Sequence, residues 1–298
     1  MMMLIKRQTT EKAIKAMFFM VALASITTLL LIALFLFAEG LPILQYTSWH
    51  DFLFGRLWYP TDDDPLFGIL PLIAGSGFVT LVSSLISVPL GIMTAIYIAE
   101  VAGKRAAEII KPLVEVLASV PSVVVGLFGL GVFAPFLQKV FGIPMGLNLF
   151  NASLMLAFMA VPTICSISED AIHSVPDSLR EASLALGATR FETIVKIVLP
   201  ASASGIGTAV ILGMSRAIGE TMVVLMVAGG AAIIPTSLFD PVRPMPASIA
   251  AEMAEAPFRS DHYHALFAIG VVLFLFTFLF NLTADIMADR FKKKQLSG

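Results

Sequence analysis

An all-α, polytopic membrane protein with six transmembrane helices is the fold class this sequence predicts, and three observations predict it. The first is composition. Mean hydropathy is +0.91, with 58% hydrophobic and 13% charged residues, too apolar for a soluble chain of 298 residues. The second is periodic interruption. Runs with little or no charge recur at 16–38, about 72–99, 116–137, about 149–168, about 204–229 and 265–284, each long enough for a hydrocarbon core of about 30 Å. The third is the placement of positive charge. All but five of the 19 lysines and arginines fall in 1–15, 100–112, 166–200 and 289–298. The exceptions are Arg56, Lys139, Arg243, Arg259 and the mid-span Arg216. Positive residues mark the cytoplasm, so both termini and the 166–200 loop are expected inside. The net charge of −2 adds little.

In chain order, residues 1–15 read as a short cytoplasmic segment. The 16–38 run is longer than a signal h-region and ends at Ala38-Glu39-Gly40 without a small-x-small cleavage site, so it reads as an uncleaved anchor. Residues 39–71 form an external loop. Its Tyr46, Trp49, Trp58 and Tyr59 suit a membrane–water boundary, and Asp62-Asp63-Asp64-Pro65 reads as a solvated turn, with a cation site as the rarer use. Residues 72–288 form a five-helix core, and 289–298 a basic cytoplasmic tail.

Within the core, Thr80, Ser83, Ser84 and Ser87 share one helical face, with Pro89 and Gly91 placed to kink it. Ser119, Ser122, Gly126 and Gly129 repeat the pattern beside Pro121. Two uses are open for such faces: close helix packing, or lining a polar path. Cys165 is the one cysteine, which excludes an internal disulfide and a Cys-based metal site. The sequence holds no GxxxxGK[ST] phosphate loop, no HExxH and no Ser-His-Asp set. ATP hydrolysis by this chain is therefore not expected, and an intramembrane enzyme has no visible nucleophile–base pair.

From Pro176 the chain reads PDSLREASLALGATRFETIVKIVLP. Pro176 and Asp177 suit a first helical turn, and Gly187 a helix end. Thr189 and Glu192 make a T-x-x-E capping box for a second short helix that carries Phe191, Ile194 and Ile197 before Pro200. Two capped helices around a glycine elbow predict a knob shaped for a groove on a partner. In the fifth span, Gly205, Ala209, Gly213, Ala217 and Thr221 recur every fourth residue, a ridge for close approach to another helix. Arg216 sits near the middle of that span, with Glu220 at i+4, close enough to pair. A mid-span arginine costs about 2.5–3.5 kcal/mol on insertion scales, so it faces protein or a wet cavity. It is either half of a structural ion pair or an anion site, in which Arg216 forks onto an oxyanion and Glu220 holds it ready. Residues 240–257 read as a short helix between prolines at the outer mouth, and His262 and His264 as loop residues.

Two motifs carry a resemblance. E-A-S-x3-G-x9-I-x-L-P, from Glu181 to Pro200, resembles the EAA loop of bacterial ABC importer permeases, with only Ser183 departing from the pattern. SRAIGETMVV, from Ser215 to Val224, is similar to the RA-x-GET signature of phosphate-specific permeases. Together with SLFDPVRPMPASIAAEMAEA and PLIAGSGFVTLVSSLISVPLGIMTAIYIAE, it resembles the PstC-type subunit over most of residues 66–290.

The resemblance implies the type I ABC importer permease architecture. It implies that Glu181, Ala182, Leu186, Gly187 and Ala188 meet the ATPase. It places Arg216, Glu220 and Thr221 on the phosphate path, with Thr80, Ser84 and Ser122 as candidate lining. It implies a second, PstA-type permease subunit, two ATP-binding subunits and an extracytoplasmic phosphate-binding protein, in the inner cell membrane. The PstA-type partner is expected to complete the path at the 205–221 ridge. No cofactor is expected on this chain, ATP and magnesium belonging to the ATPase, and no nucleic acid. A sulfate or molybdate permease is the near alternative.

Overall fold

The structure, a computed structural model, describes residues 2–296, and within the terminal helices the side chains of 11, 14–283 and 286. The basic residues expected at 1–13 and 289–298 lie outside the described side chains.

Among the described residues, six helical segments are long and apolar enough to cross a membrane, one for each predicted span: Ile14–Gln45, Leu70–Val101, Ser122–Phe141, Leu149–His173, Arg190–Ile218 and Asp261–Thr283. The first belongs to helix α1 (Met2–Gly40). Between it and the second lie α2 (Trp49–Phe54) and a two-stranded hairpin, β1 (Trp58–Tyr59) against β2 (Leu66–Phe67), with Trp58 opposite Phe67. The acidic run Asp62–Asp64 forms the exposed connection of that hairpin. The second span is α3 (Leu70–Ile96), which carries Pro89 in its interior and ends in a π turn at Tyr97–Val101.

The third span starts later than its apolar run. Residues 104–118 form a separate helix, α4 (Lys104–Ala118), and the crossing is built from α5 (Ser122–Phe128), a π turn and α6 (Ala134–Phe141). Pro121 explains the break: it has no N–H to give the helix and disfavours helical geometry at the residue before it. The fourth span, α7 (Leu149–His173), is the most buried of the six, whereas no residue in the apolar window of α1 is buried. Helix α7 owes its central place in part to small side chains that let neighbours approach, Ala152, Ser153, Ala157 and Ala160 all being buried. Exposed Phe18, Leu85, Met93 and Phe158 face outward, as lipid contact requires.

After α7 come α8 (Asp177–Ala185) and α9 (Arg190–Thr193). The second helix of the expected knob does not stop at Pro200. It runs through a π turn at Ile194–Val198 into α10 (Leu199–Ile218). A π turn just before a proline absorbs the lost donor without ending the helix. The fifth span is not continuous to 229 either. It ends at Gly219, and the short α11 (Met222–Val227) follows. The proline-flanked stretch gives α12 (Met245–Glu252), whose first turn is buried, and the last span opens α13 (Asp261–Leu296).

Among the described residues, three apolar clusters stabilise the bundle. One joins Val79, Leu156, Val223 and Val227 in its middle. A second gathers Phe52, Trp58, Leu72, Leu266 and Ile269 at the hairpin end. The third gathers Ala95, Ile98, Ile172 and Val198 at the end bearing α8.

Candidate translocation site and docking surface

The fifth span is held by glycines. A Cβ added at Gly205 would lie 2.4 Å from Ala171 Cβ, and one at Gly213 would lie 2.5 Å from Ile164 Cγ1. Ala209 and Ala217 are buried on the same face. The small-residue ridge therefore does allow close helix approach, but it is filled by α7 of the same chain. This corrects the expectation that a partner permease occupies it. Van der Waals packing of backbone on side chain is what such a ridge contributes where lipid offers no hydrophobic drive.

Arg216 stands in the last turn of α10, not in the middle of a continuous helix, and its side chain is exposed. Its Nη1 donates to Thr163 Oγ1 of α7 at 3.1 Å. The expected Arg216–Glu220 pair is absent, because the helix breaks between them and removes the i,i+4 geometry. Instead, Glu220 Oε1 accepts from the Val223 N–H at 3.5 Å, at the start of α11. Each charge thus sits at the favourable end of a half-helix, a cation beside the free carbonyls of α10 and an anion beside the free N–H groups of α11. Thr221 is half-buried in the break, with Oγ1 donating to the Gly219 carbonyl at 3.4 Å. Ser215 Oγ donates to Asn281 Oδ1 at 3.0 Å, which ties this end of α10 to α13. A break flanked by a guanidinium, a carboxylate and a hydroxyl can bind and release an anion. Discontinuous helices serve this purpose in membranes, because the freed backbone dipoles point into the gap.

The hydroxyl faces do not join this site. Thr80 and Ser84 are buried, and Ser84 Oγ donates to the Thr80 carbonyl at 2.7 Å. Nearby, Ser153 Oγ of α7 donates to the Val79 carbonyl at 3.4 Å, so these residues lie in the α3–α7 seam. Both are packed within this chain, and no hydrogen bond joins either to Arg216 or Glu220. Ser122 is half-buried at the first position of α5, and no hydrogen bond joins it to Arg216 or Glu220.

At the α8 end, the knob forms. Thr189 Oγ1 accepts from the Glu192 N–H and the Glu192 carboxylate accepts from the Thr189 N–H, completing the capping box. Gly187 adopts φ +85°, and an added Cβ there would meet nothing within 4 Å. Backbone conformation, not space, therefore requires glycine. Glu181 and Ala182 are exposed, Ala188 is half-buried, and Leu186 and Phe191 are 90% and 74% exposed. Large apolar side chains projecting from the loop and from the first turn of the segment that follows it make an interaction surface. The motif's one departure is accounted for: Ser183 is buried, and its Oγ lies 2.9 Å from Thr193 Oγ1.

Several polar clusters escaped the sequence reading, that of Lys111 with the buried Glu169 among them. Arg180 extends from α8 to Glu100 at the end of α3, with Nη2 2.8 Å from Oε1. At the hairpin end, Glu252 accepts from Trp58 Nε1 at 3.1 Å and from Arg243 Nη1 at 2.5 Å, and lies 2.9 Å from His262 Nε2. These residues border a cavity of about 490 Å3. His262 is buried, and His264 Nδ1 lies 2.7 Å from the Glu39 carbonyl. Both therefore anchor the start of α13, and neither is a free loop residue as expected. No local pattern signals partners that are 80 or 194 residues away. Among the described residues, no His, Cys, Asp or Glu group could hold a metal.

Residues 87–296 match the family described as binding-protein-dependent transport system inner membrane component. The probable ABC transporter permease protein YqgH of Bacillus subtilis is 40% identical over 91% of this chain and 88% of its own length. The phosphate transport system permease protein PstC of Mesorhizobium japonicum is 36% identical, over 87% of this chain and 84% of that protein. Among solved structures, the inward-facing MetNI methionine ABC transporter aligns with a TM-score of 0.56 at 20% identity, covering 75% of this chain and 94% of that one. A bacterial alginate ABC transporter in complex with its periplasmic protein aligns at 0.59 and 16%, covering 89% and 94%. These last two likenesses concern the fold, which is that of type I ABC importer permeases.

Proposed function

The chain belongs to the binding-protein-dependent transport system inner membrane component family, and from that premise we propose that it is the permease subunit through which an ATP-driven importer passes inorganic phosphate. The similarity to PstC proteins supports the substrate. The observation that carries the reading is an exposed arginine at a helix break within a membrane span. Such a charge is not left facing lipid, so a partner subunit and a wet path must cover it.

In this reading both termini and the 176–200 loop are cytoplasmic, as positive-inside placement requires. An extracytoplasmic binding protein delivers phosphate to the hairpin end. A second, PstA-type permease completes the path on the Arg216 side. Two ATP-binding subunits hold ATP and magnesium, and one of them grips Leu186, Phe191 and the Gly187 elbow.

At the break, the Arg216 fork takes two phosphate oxygens, and Thr221 offers a hydroxyl to a third. Glu220 accepts the hydrogen that phosphate retains near neutral pH. Sulfate has no such hydrogen and meets only repulsion at that carboxylate, which favours phosphate over it. The hold on the anion must be loose enough for release.

Radiolabelled phosphate uptake by Arg216→Gln beside the unaltered chain, with ATPase co-purification from the same membranes, tests the proposal. Loss of uptake with the complex intact is expected. Retained uptake refutes the role of Arg216, and equal uptake of sulfate by the unaltered chain refutes the substrate.

A further inference from the structure

Helix α8 carries the docking surface, yet Ser183 is its one buried residue. It is not embedded by apolar packing, so beyond the backbone itself its movements pass through polar links. Ser183 joins it to Thr193 of the neighbouring α9. Arg180 joins it to the rest of the bundle. Its Nε and Nη2 donate to Glu100 Oε1 at 3.1 and 2.8 Å. Nη2 also donates to the Ile172 carbonyl at 3.0 Å, and Nη1 to the Val175 carbonyl and to Asp177 Oδ1. The side chains of Arg180 and Glu100 are only 17% and 13% exposed. A planar guanidinium with every nitrogen engaged fixes direction as well as distance, which a lysine ammonium cannot do.

The link continues inward. Glu100 ends α3, whose lower part follows Pro89, where one backbone bond is missing. Below that proline, an added Cβ at Gly91 would lie 2.8 Å from Ile164 Cγ2. The same Ile164, fully buried, meets Gly213 of α10 through its Cγ1 and Cδ1. Thr163, its chain neighbour, holds Arg216. From the knob to the exposed arginine there is thus a continuous series of tight contacts: Arg180, Glu100, α3, Ile164, α10.

We infer that the Arg180–Glu100 pair is the mechanical link by which displacement of the docking helix α8 reaches α3 and, through Ile164, the Arg216 break. Both are positioning residues, and neither touches the anion. The inference rests on the proposed ATP-driven import. Close-packed elements with discrete arrangements pass such displacements on, while loosely tethered ones dissipate them.

The test is Glu100→Ala in the full complex reconstituted in vesicles, with phosphate uptake, ATP hydrolysis and subunit content measured together. This variant leaves Arg180 its contacts with Asp177 and the two carbonyls, so α8 keeps its place. The complex should stay intact and ATP hydrolysis within about twofold, while phosphate moved per ATP falls about tenfold. Arg180→Lys, which keeps the charge but not the fork, should lower the same ratio by a smaller factor. An unchanged ratio overturns the inference. So does a parallel fall of both activities, or loss of the ATPase subunit, which would make the pair a support of the docking surface. Absence of uptake by the unaltered complex would instead refute the import reading itself.

Discussion

Gly213→Ala puts a number on the seam that carries Arg216. The new Cβ would sit 2.5 Å from Ile164 Cγ1 and 2.8 Å from its Cδ1, against an optimum near 3.5–4.0 Å, so about 1 Å of separation is required. Ile164 has little room to retreat, since it is fully buried and its Cγ2 and Cβ pack against Gly91, which has no side chain to yield. Overpacking of this kind costs about 1–3 kcal/mol, and a clamped neighbour places the cost at the upper end. The helix gains about 1 kcal/mol from replacing glycine by alanine. The net loss is therefore about 2 kcal/mol, a fall of several degrees in melting temperature. Gly207 on the same helix is the control. An added Cβ there meets nothing within 4 Å, so Gly207→Ala keeps only the helical gain and raises the melting temperature slightly. Thermal unfolding of the detergent-purified chain, alone and in complex, reads both. Shifts of the same sign refute the packing argument. A Gly213→Ala loss seen only in the complex would return the ridge to a partner subunit.

Two further outcomes follow from the loops. Ser183→Ala strips the buried Thr193 hydroxyl of its partner and should lower stability by about 1–2 kcal/mol, whereas Ser183→Ala with Thr193→Val should restore most of it. Equal losses in the single and double variants, measured by thermal unfolding, would show that a stranded Thr193 hydroxyl is not the source of the loss. Asp240, near the start of α7, is held below the ordinary carboxylate range by the backbone N–H groups of Thr236 and Ser237 and by the Thr236 hydroxyl. A depressed folded value means stabilisation that is fully present above the unfolded value of about 3.9 and lost as pH falls through the folded one. Asp240→Asn should therefore be less stable than the unaltered chain at pH 7, with the gap closing in acid. A constant gap would show that the charge is irrelevant to the turn.

Much of the architecture was legible because its signals are local. Charge-free runs identify the six spans, since backbone in hydrocarbon must form helices whatever the neighbours do. The capping box at Thr189 and Glu192 and the left-handed glycine at 187 are set by residues within one turn of each other. Composition also marks Arg216 as needing cover, because the cost of that charge depends on its depth in the span rather than on the fold.

Tertiary structure decided the rest, wherever two local readings were equally allowed. The hydroxyls of α3 suit a path or a seam, and the position of α7 makes them a seam. The ridge on α10 suits any close helix, and chain connectivity supplies α7 before a partner can arrive. Arg216 and Glu220 stand at pairing distance only on an unbroken helix, and the break at Gly219 sends one to Thr163 and the other to Val223. The Arg180–Glu100 and Trp58–Glu252 contacts span 80 and 194 residues. Nothing in the sequence near either end sets such a contact. It exists because the fold brings two distant polar groups together where little water reaches them, and each satisfies the other.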